Sequence, residues 1–396
     1  MSFTSQDELN LTRALTLARE AAAFASPNPT VGSVLTRDDV ILGEGAHFYD
    51  ARDHAEISAL KQAAALGNNV HGATSYVTLE PCAHHGRTGP CADALIAAGI
   101  ARCVVATVDP NPLVSGQGLA KLRAANIEVV LLDPAHPIAQ QARHLNDAFA
   151  HFIQHHHPFI TLKAALSVDG KLAPPPSTRT STTPHWVTGT AARADAQLLR
   201  QASDAILTGI GTVLADNPSL TDRTGLPRRR PLLRVILDSA LRTPPDSALV
   251  RNAASELLIL CSDDTTQAPT DRESALRART AEVLRIPTIH GHLDLNAALK
   301  ALAERHILSV LVEAGSTLNG NLLRANLVDR LVLYYAESEL GLDALPFATG
   351  FDSPYGLQQR LTRATRATFP SHLAPNAEDV RIAGYLHDPW ANISNP

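Results

Sequence analysis

Blocks of helical and strand periodicity alternate along most of the chain. Leu11, Ala14, Leu15 and Ala18 recur at the three-and-four spacing of a helix buried on one face, and Ser5 with Glu8 has the spacing of a capping box ahead of it. That helix ends before Pro27-Asn28-Pro29, whose two prolines fix an extended loop. Residues 31–36 and 40–42 predict a hairpin turning at Arg37-Asp38-Asp39. His54 opens a helix whose apolar face is read as Ile57, Leu60 and Ala64, with Gly67 as its stop. A strand over 73–79 is broken by Pro81, and Cys91 starts a helix that runs to Gly99. Strand 102–107, helix 119–125 and strand 127–132 follow. Such alternation predicts an α/β/α sandwich around a mixed sheet.

A polar helix near 138–152 leads into His155-His156-His157-Pro158, read as a linker face. Beyond it the rhythm resumes, with strands at 159–167, 204–208, 234–238, 257–260, 309–313, 328–335 and 380–386. Helices are expected at 190–201, 293–305 and 318–325. Residues 174–184 are rich in Pro, Ser and Thr and read as a mobile insert, and residues 389–396 read as a loose tail. A chain of 396 residues makes two domains on a prior of ~150 residues each, here divided as 1–150 and 151–396.

Composition narrows the function. A formal charge of −5 with only 4% aromatic residues argues against a nucleic-acid partner, which needs a basic face and stacking rings. Four cysteines make no disulfide framework, no apolar run reaches ~18 residues, and no leader pattern is seen, so a cytoplasmic, non-membrane protein is expected. A homo-oligomer, dimer or tetramer, is also expected.

The chemistry concentrates in His54-Ala55-Glu56 and in the stretch 81–91, which places Cys82 and Cys91 nine residues apart. One imidazole and two thiolates can hold zinc with a fourth position open, and an uncoordinated Glu beside it can move protons. H-x-E followed by Pro-Cys and a second Cys is the arrangement of zinc deaminases, although the cysteine spacing here is wider and carries Gly86-Arg87-Thr88-Gly89. Cys103, His84 and His85 remain rivals for a fourth ligand, which would close the site. In the second half, Lys163 lies within an apolar strand, which is costly unless the Lys is paired or working. The turns 209–212 and 313–320 put glycines between a strand and a helix start, where free amides suit an anion. The dinucleotide fingerprint G-x-G-x-x-G is absent, since position 214 is Leu.

The long cysteine spacing, together with KAALSVDG (163–170), DAILTGIGTVLADNPSLTDR (204–223) and VEAGSTLNGN (312–321), resembles the bifunctional deaminase/reductase family of riboflavin biosynthesis over roughly residues 5–385. The resemblance implies a cytidine-deaminase-like α/β/α domain followed by a dihydrofolate-reductase-like α/β domain. Zinc would be held by His54, Cys82 and Cys91, with Glu56 as proton shuttle. Asn28, His47 and Arg87 would contact the phosphoribosylaminopyrimidine substrate. In the reductase half it implies NADPH, Lys163 as candidate proton donor, and substrate contacts from Arg200, Leu220, Arg223 and Glu313. Cofactor contacts would come from Ala165, Trp186, Thr212, Asp216, Ser239, Gly315, Ser316, Thr317, Leu318, Asn319, Gly320 and Asn321. The chain departs from the family pattern at 174–185, where Pro184 stands in place of a substrate-binding Ser. A nucleic-acid-editing deaminase shares the zinc motif but has no use for residues 159–396.

Overall fold

Thr4, one residue earlier than the sequence suggests, caps the first helix. Its hydroxyl accepts from the Asp7 amide and Asp7 returns a bond to the Thr4 amide. The capping box therefore uses Asp7 and not Glu8, because Asp7 is also needed inside: it is 2% exposed and accepts from Tyr76 and Arg102. The structure is a computed structural model and describes residues 3–84, 89–175, 178, 186–253, 256–351, 353–371 and 377–393. The chain divides into two compact units, Met1–His156 with Pro389–Pro396, and His157–Asp388.

In the first unit the order is α1 (Ser5–Ala25), β1 (Gly32–Arg37), β2 (Val40–Ala46), α2 (Ala55–Ala65), β3 (Thr74–Val77), α3 (Cys91–Ala97), β4 (Arg102–Val105), α4 (Gln117–Ala124), β5 (Glu128–Leu131), α5 (Pro137–Leu145) and α6 (Asp147–His155). The sheet runs β2-β1-β3-β4-β5, with antiparallel pairs up to β3 and parallel pairs after it. Period-two alternation sends Leu35, Cys103 and Val105 into one apolar cluster with α2, α3 and α4. Val34, Val104 and Ala106 go to the other face, with α1 and α5. That is the expected three-layer sandwich.

The fully buried face of α2 is Ala55, Ala59 and Ala63; of the Ile57, Leu60 and Ala64 anticipated from periodicity, Leu60 packs half-buried on the core and Ala64 is exposed. The reason lies in β2. A Cβ added to Gly43 would sit 2.4 Å from the Ala59 carbonyl oxygen, and one added to Gly45 2.6 Å from the Ala59 amide nitrogen. A glycine strand against an alanine face brings the two backbones together, and this rotation turns Glu56 inward.

The second unit comprises β6 (Phe159–Ser167), β7 (Lys171–Ala173), α7 (Thr190–Gln201), β8 (Ala205–Gly209), α8 (Ile210–Asp216), β9 (Leu233–Leu237), α9 (Ala248–Arg251), β10 (Leu257–Ser262), α10 (Thr270–Arg277), β11 (Glu282–Ile286), a small hairpin β12 (Thr288–Ile289) and β13 (His292–Leu293), α11 (Leu295–Ala303), β14 (Ser309–Val312), α12 (Ser316–Arg324), β15 (Arg330–Ala336), β16 (Leu345–Pro346), α13 (Tyr355–Gln358), β17 (Thr362–Pro370) and β18 (Glu378–Tyr385). Its main sheet has the order β11-β10-β9-β8-β14-β6-β15-β18-β17. Strands from β11 to β15 are parallel, and β18 and β17 close the edge antiparallel. Parallel strands are buried on both faces, and their residues alternate between two clusters: Leu258 and Leu260 in one, Ile259 and Cys261 in the other.

The C-terminal segment is not loose through residue 393. Trp390 is 3% exposed, its indole N–H donates to Asp147 at 3.0 Å, and Ile393 packs on the first unit's core.

Candidate active sites

His54 is the N-cap of α2, so its ring stands at the start of the helix while Glu56, two residues on, points into the interior. Cys91 opens α3, and Cys82 follows the exit of the chain from β3. These elements bring three donors together: His54 Nδ1 lies 3.5 Å from Cys82 Sγ and 3.3 Å from Cys91 Sγ, and the Cys91 amide donates to Cys82 Sγ at 3.3 Å. Tetrahedral zinc with bonds of ~2.1 Å to nitrogen and ~2.3 Å to sulfur needs an N···S edge of about 3.5 Å, so this donor set fits the ion by size and by chemistry. Among the described residues no fourth His, Cys, Asp or Glu joins the group. Cys103 is fully buried in β4 with its thiol pushed up to about 12 by burial. His85 and Arg87 lie outside the described residues.

The hydrogen bond between the two sulfurs, with His54 helping, lowers Cys82 against burial, and Cys91 is raised in turn. His54 rises through its hydrogen bond to Cys82 against the effect of burial. A divalent cation displaces such protons and takes both thiolates. Glu56 is 3% exposed, and burial pushes its carboxyl up to about 7, the range of a group that can both accept and donate near neutral pH.

His47 and Asn28 stand beside this centre. The His47 and His54 rings are 5.5 Å apart and edge-on. His47 Nδ1–H donates to the Asp53 carbonyl at 2.8 Å, which leaves Nε2 to accept from the Asn28 amide at 3.0 Å. Burial lowers the His47 pKa. With both ring nitrogens engaged, His47 orients Asn28. Sequence reasoning passed over Glu80. Buried beside Pro81, it accepts from the amides of Gly116 and Gly118 at 2.9 Å each and from Asp109 at 3.2 Å. A Cβ on Gly118 would stand 1.9 Å from the Pro81 carbonyl oxygen. The 109–118 loop is thereby held against the strand exit that carries Cys82, and burial pushes the Asp109 carboxyl up to about 6. A buried acid immediately before Pro-Cys was the available signal.

In the second unit Glu313 follows the end of β14, with Lys163 on the neighbouring β6 and Arg200 at the end of α7. Arg200 grips the carboxylate at 2.8 and 3.0 Å and also donates to the Thr221 carbonyl at 2.9 Å. Lys163 Nζ lies 3.8 Å from the same carboxylate. Burial would push Glu313 up, but Lys163 and Arg200, with a smaller part from Arg223, hold it down to about 2. Leu220 next to Thr221 is buried with a left-handed φ of 51°, so this loop is pinned where a non-glycine residue is strained. Arg223 is exposed. Tyr334 was not anticipated: its ring faces Lys163 Nζ at 5.8 Å, and its hydroxyl donates to Asp195, which also binds Arg381.

Two glycine turns lie side by side at the ends of β8 and β14. A Cβ on Gly315 would approach Thr212 Oγ1 at 3.9 Å, and one on Gly209 would meet Leu318 at 3.6 Å. Gly315 is the N-cap of α12 and provides no side-chain cap, so the first-turn amides are available to an anion. The side chains of Ser316 and Asn319 are committed elsewhere: Ser316 bonds Thr349 at 3.1 Å, and Asn319 donates to Phe347 O at 2.9 Å. Gly320 packs under Thr349, and Asn321 accepts from Arg324. Only Thr317 and Leu318 of this turn are not so bound. Trp186 is 52% exposed with the Arg193 guanidinium 4.5 Å over its ring. Ala165 lies two residues from Lys163 on β6, Asp216 is exposed at the end of α8, and the Ser239 carbonyl accepts from Ser262 after β9. Pro184 lies outside the described residues. The His155-His156-His157 run takes no part in a metal cluster among the described residues.

A His/Cys/Cys group beside a buried acid in one unit, and a Lys–Glu–Arg cluster with two glycine turns in the other, fit a zinc deaminase joined to a reductase. A family model described as the cytidine and deoxycytidylate deaminase zinc-binding region matches residues 4–107, and one described as the RibD C-terminal domain matches 158–367. The chain belongs to the RibD family of riboflavin biosynthesis proteins. It is 41% identical over 356 residues to the riboflavin biosynthesis protein RibD of Escherichia coli K12, covering 87% of this chain and 91% of that one. The RibD of a Synechocystis strain is 36% identical and covers 96% of both chains. Among solved structures, Acinetobacter baumannii RibD superposes with a TM-score of 0.76 at 34% identity, over 96% of this chain and 98% of that one. A Thermotoga maritima structure described as a diaminohydroxyphosphoribosylaminopyrimidine deaminase/5-amino-6-(5-phosphoribosylamino)uracil reductase gives 0.77 at 29% identity, over 96% and 99%. The expected pairing of a cytidine-deaminase-like and a reductase fold is the one found. No helix among the described residues is long and apolar enough to cross a membrane.

Proposed function

We propose that the chain deaminates 2,5-diamino-6-(5-phosphoribosylamino)pyrimidin-4(3H)-one and then reduces 5-amino-6-(5-phosphoribosylamino)uracil to its ribitylamino product. The observation that carries the reading is the buried, uncoordinated Glu56 beside the His54–Cys82–Cys91 donor set. We assign the deaminase to the first unit and the reductase to the second.

Zinc, bound by His54, Cys82 and Cys91, supplies Lewis acidity that makes water a nucleophile near neutral pH. Glu56 takes one proton from the attacking water and gives it to the ring nitrogen, then takes the remaining hydroxyl proton of the adduct and gives it to the amine, which leaves as ammonia. Asn28, oriented by His47, faces the pyrimidine side of the centre, and Arg87 is the candidate for the ribose phosphate.

In the second reaction NADPH supplies a hydride to C1′ of the ribose. Lys163 gives its proton to the ring oxygen as the C1′–O bond opens, and Glu313 holds Lys163 in place. Arg200, the Leu220 loop and Arg223 position the substrate. Ala165, Trp186, Thr212, Asp216, Ser239 and the 315–321 turn form the cofactor side, with the α12 amides toward the pyrophosphate. A cytoplasmic homo-oligomer is proposed on the resemblance, and light scattering of the purified chain tests it.

The experiment is a single-vessel assay with the diaminopyrimidine. Ammonia should appear without NADPH, and added NADPH should then be oxidised one-for-one. Ammonia without NADPH oxidation would remove the reductase assignment, and neither would remove both.

A further inference from the structure

The C-terminal segment returns to the first unit and docks at a break between two helices. α5 ends and α6 begins at Asn146, whose φ of −115° and ψ of 14° interrupt the helix. Trp390 grips both sides of that break: its indole N–H donates to Asp147 at 3.0 Å, and the Arg143 guanidinium stacks 5.1 Å from its ring centre. The Pro389 carbonyl accepts from Gln154 on α6 at 2.8 Å. Trp390, Arg143, Asn146 and Asp147 are all buried.

Asn146 is the residue whose placement matters. Its side-chain oxygen accepts from the Thr30 amide at 2.7 Å and its amide donates to the Thr30 carbonyl at 3.0 Å, so it clamps the backbone two residues beyond Asn28. Arg143 reaches the other wall. Its Nε donates to Thr107 Oγ1 at 3.1 Å, and the Thr107 carbonyl accepts from the Glu80 amide at 2.9 Å, next to Pro81 and Cys82. A chain of polar contacts thus runs from Trp390 to both loops that flank the metal-ligand group. Without the indole, Asp147 keeps His144 and Arg143 keeps Thr107, but the two lose the partner they share across the helix break, so its position is set less tightly.

We propose that Trp390 is a positioning residue of the deaminase centre, holding Asn146 so that the Pro27–Thr30 loop stays in register for the pyrimidine. This rests on the deaminase reading above. The test uses the full chain with Trp390→Ala and Trp390→Phe. Trp390→Ala should raise the pyrimidine KM of ammonia release at least fivefold with a smaller fall in kcat, and Trp390→Phe, which keeps a ring over Arg143 but loses the bond to Asp147, should recover only part of it. Zinc content and NADPH oxidation with the deaminated intermediate should match wild type. Amide exchange at Thr30 should quicken in Trp390→Ala while β3 and β4 stay protected. Unchanged KM, unchanged Thr30 exchange, or a parallel loss of zinc and of protection throughout the first unit would each overturn the proposal. If the wild-type chain released no ammonia at all, the deaminase reading would fail first.

Discussion

Replacing Glu313 by Gln removes the one negative charge shared by Lys163 and Arg200 while keeping the shape of the side chain. The fall of the Glu313 carboxyl from 4.5 to about 2 corresponds to about 3 kcal/mol in favour of the ionised form. The side chain is only 16% exposed, so solvent screens this little. Because the folded-state pKa is depressed, that stabilisation is present above the unfolded value and is lost as pH falls through about 2. Glu313→Gln should therefore destabilise the second unit by about 3 kcal/mol at pH 7. Linkage removes about 2 kcal/mol of the wild-type advantage by roughly pH 3, so the gap should narrow to about 1 kcal/mol. Urea unfolding followed by Trp186 emission, in a Trp390→Phe background that leaves it the sole tryptophan, measures the gap at both pH values. The same variant should lose NADPH oxidation, since Arg200 then has one acceptor in place of two. A gap that stays constant with pH, or a variant as stable as wild type, would refute the ion-cluster reasoning.

Two further outcomes follow from the first unit. Asp7→Ala removes the acceptor of the Thr4 amide, the carboxylate half of the capping box, and leaves Arg102 and Tyr76 without their buried acceptor, and should cost about 3 kcal/mol in the unfolding of that unit with the geometry of the His54–Cys82–Cys91 group intact. Gly118→Ala forces a Cβ to within 1.9 Å of the Pro81 carbonyl oxygen, so the strand exit carrying Cys82 must move. It should speed zinc loss to a chelator at least tenfold, read by a zinc-sensitive dye.

The sandwich and the candidate metal group were legible because both are local signals. Period-two runs such as residues 102–105 show which face each side chain takes, and His54, Cys82 and Cys91 sit at helix starts or beside a proline. Glu56 was legible as a candidate shuttle, but its burial was not, since it depends on Gly43 and Gly45 in a different element admitting the alanine face of α2. Strand β17 escaped notice because TRATRATFP lies at the sheet edge and is largely solvated, so nothing in its pattern marks a buried face. Residues 270–286 were missed for a similar reason: α10 is polar on most of its surface and buries only Leu276. The segment after Pro389 reads as loose by composition, and the contacts of Trp390 with Asp147 and Arg143, far away in sequence, reveal what holds it. The glycine turn at 313–320 was read as an anion site by its glycines, but the packing of Ser316 and Asn319 against 347–349 was invisible.

The most direct measurement is made on Glu56→Gln: bound zinc per chain and ammonia release, side by side with wild type. An uncoordinated proton shuttle requires that the variant keep one zinc per chain and still oxidise NADPH with the deaminated intermediate, while ammonia release falls by about 10³-fold. A variant that loses its zinc, or one that releases ammonia at the wild-type rate, would contradict the role assigned to this carboxylate.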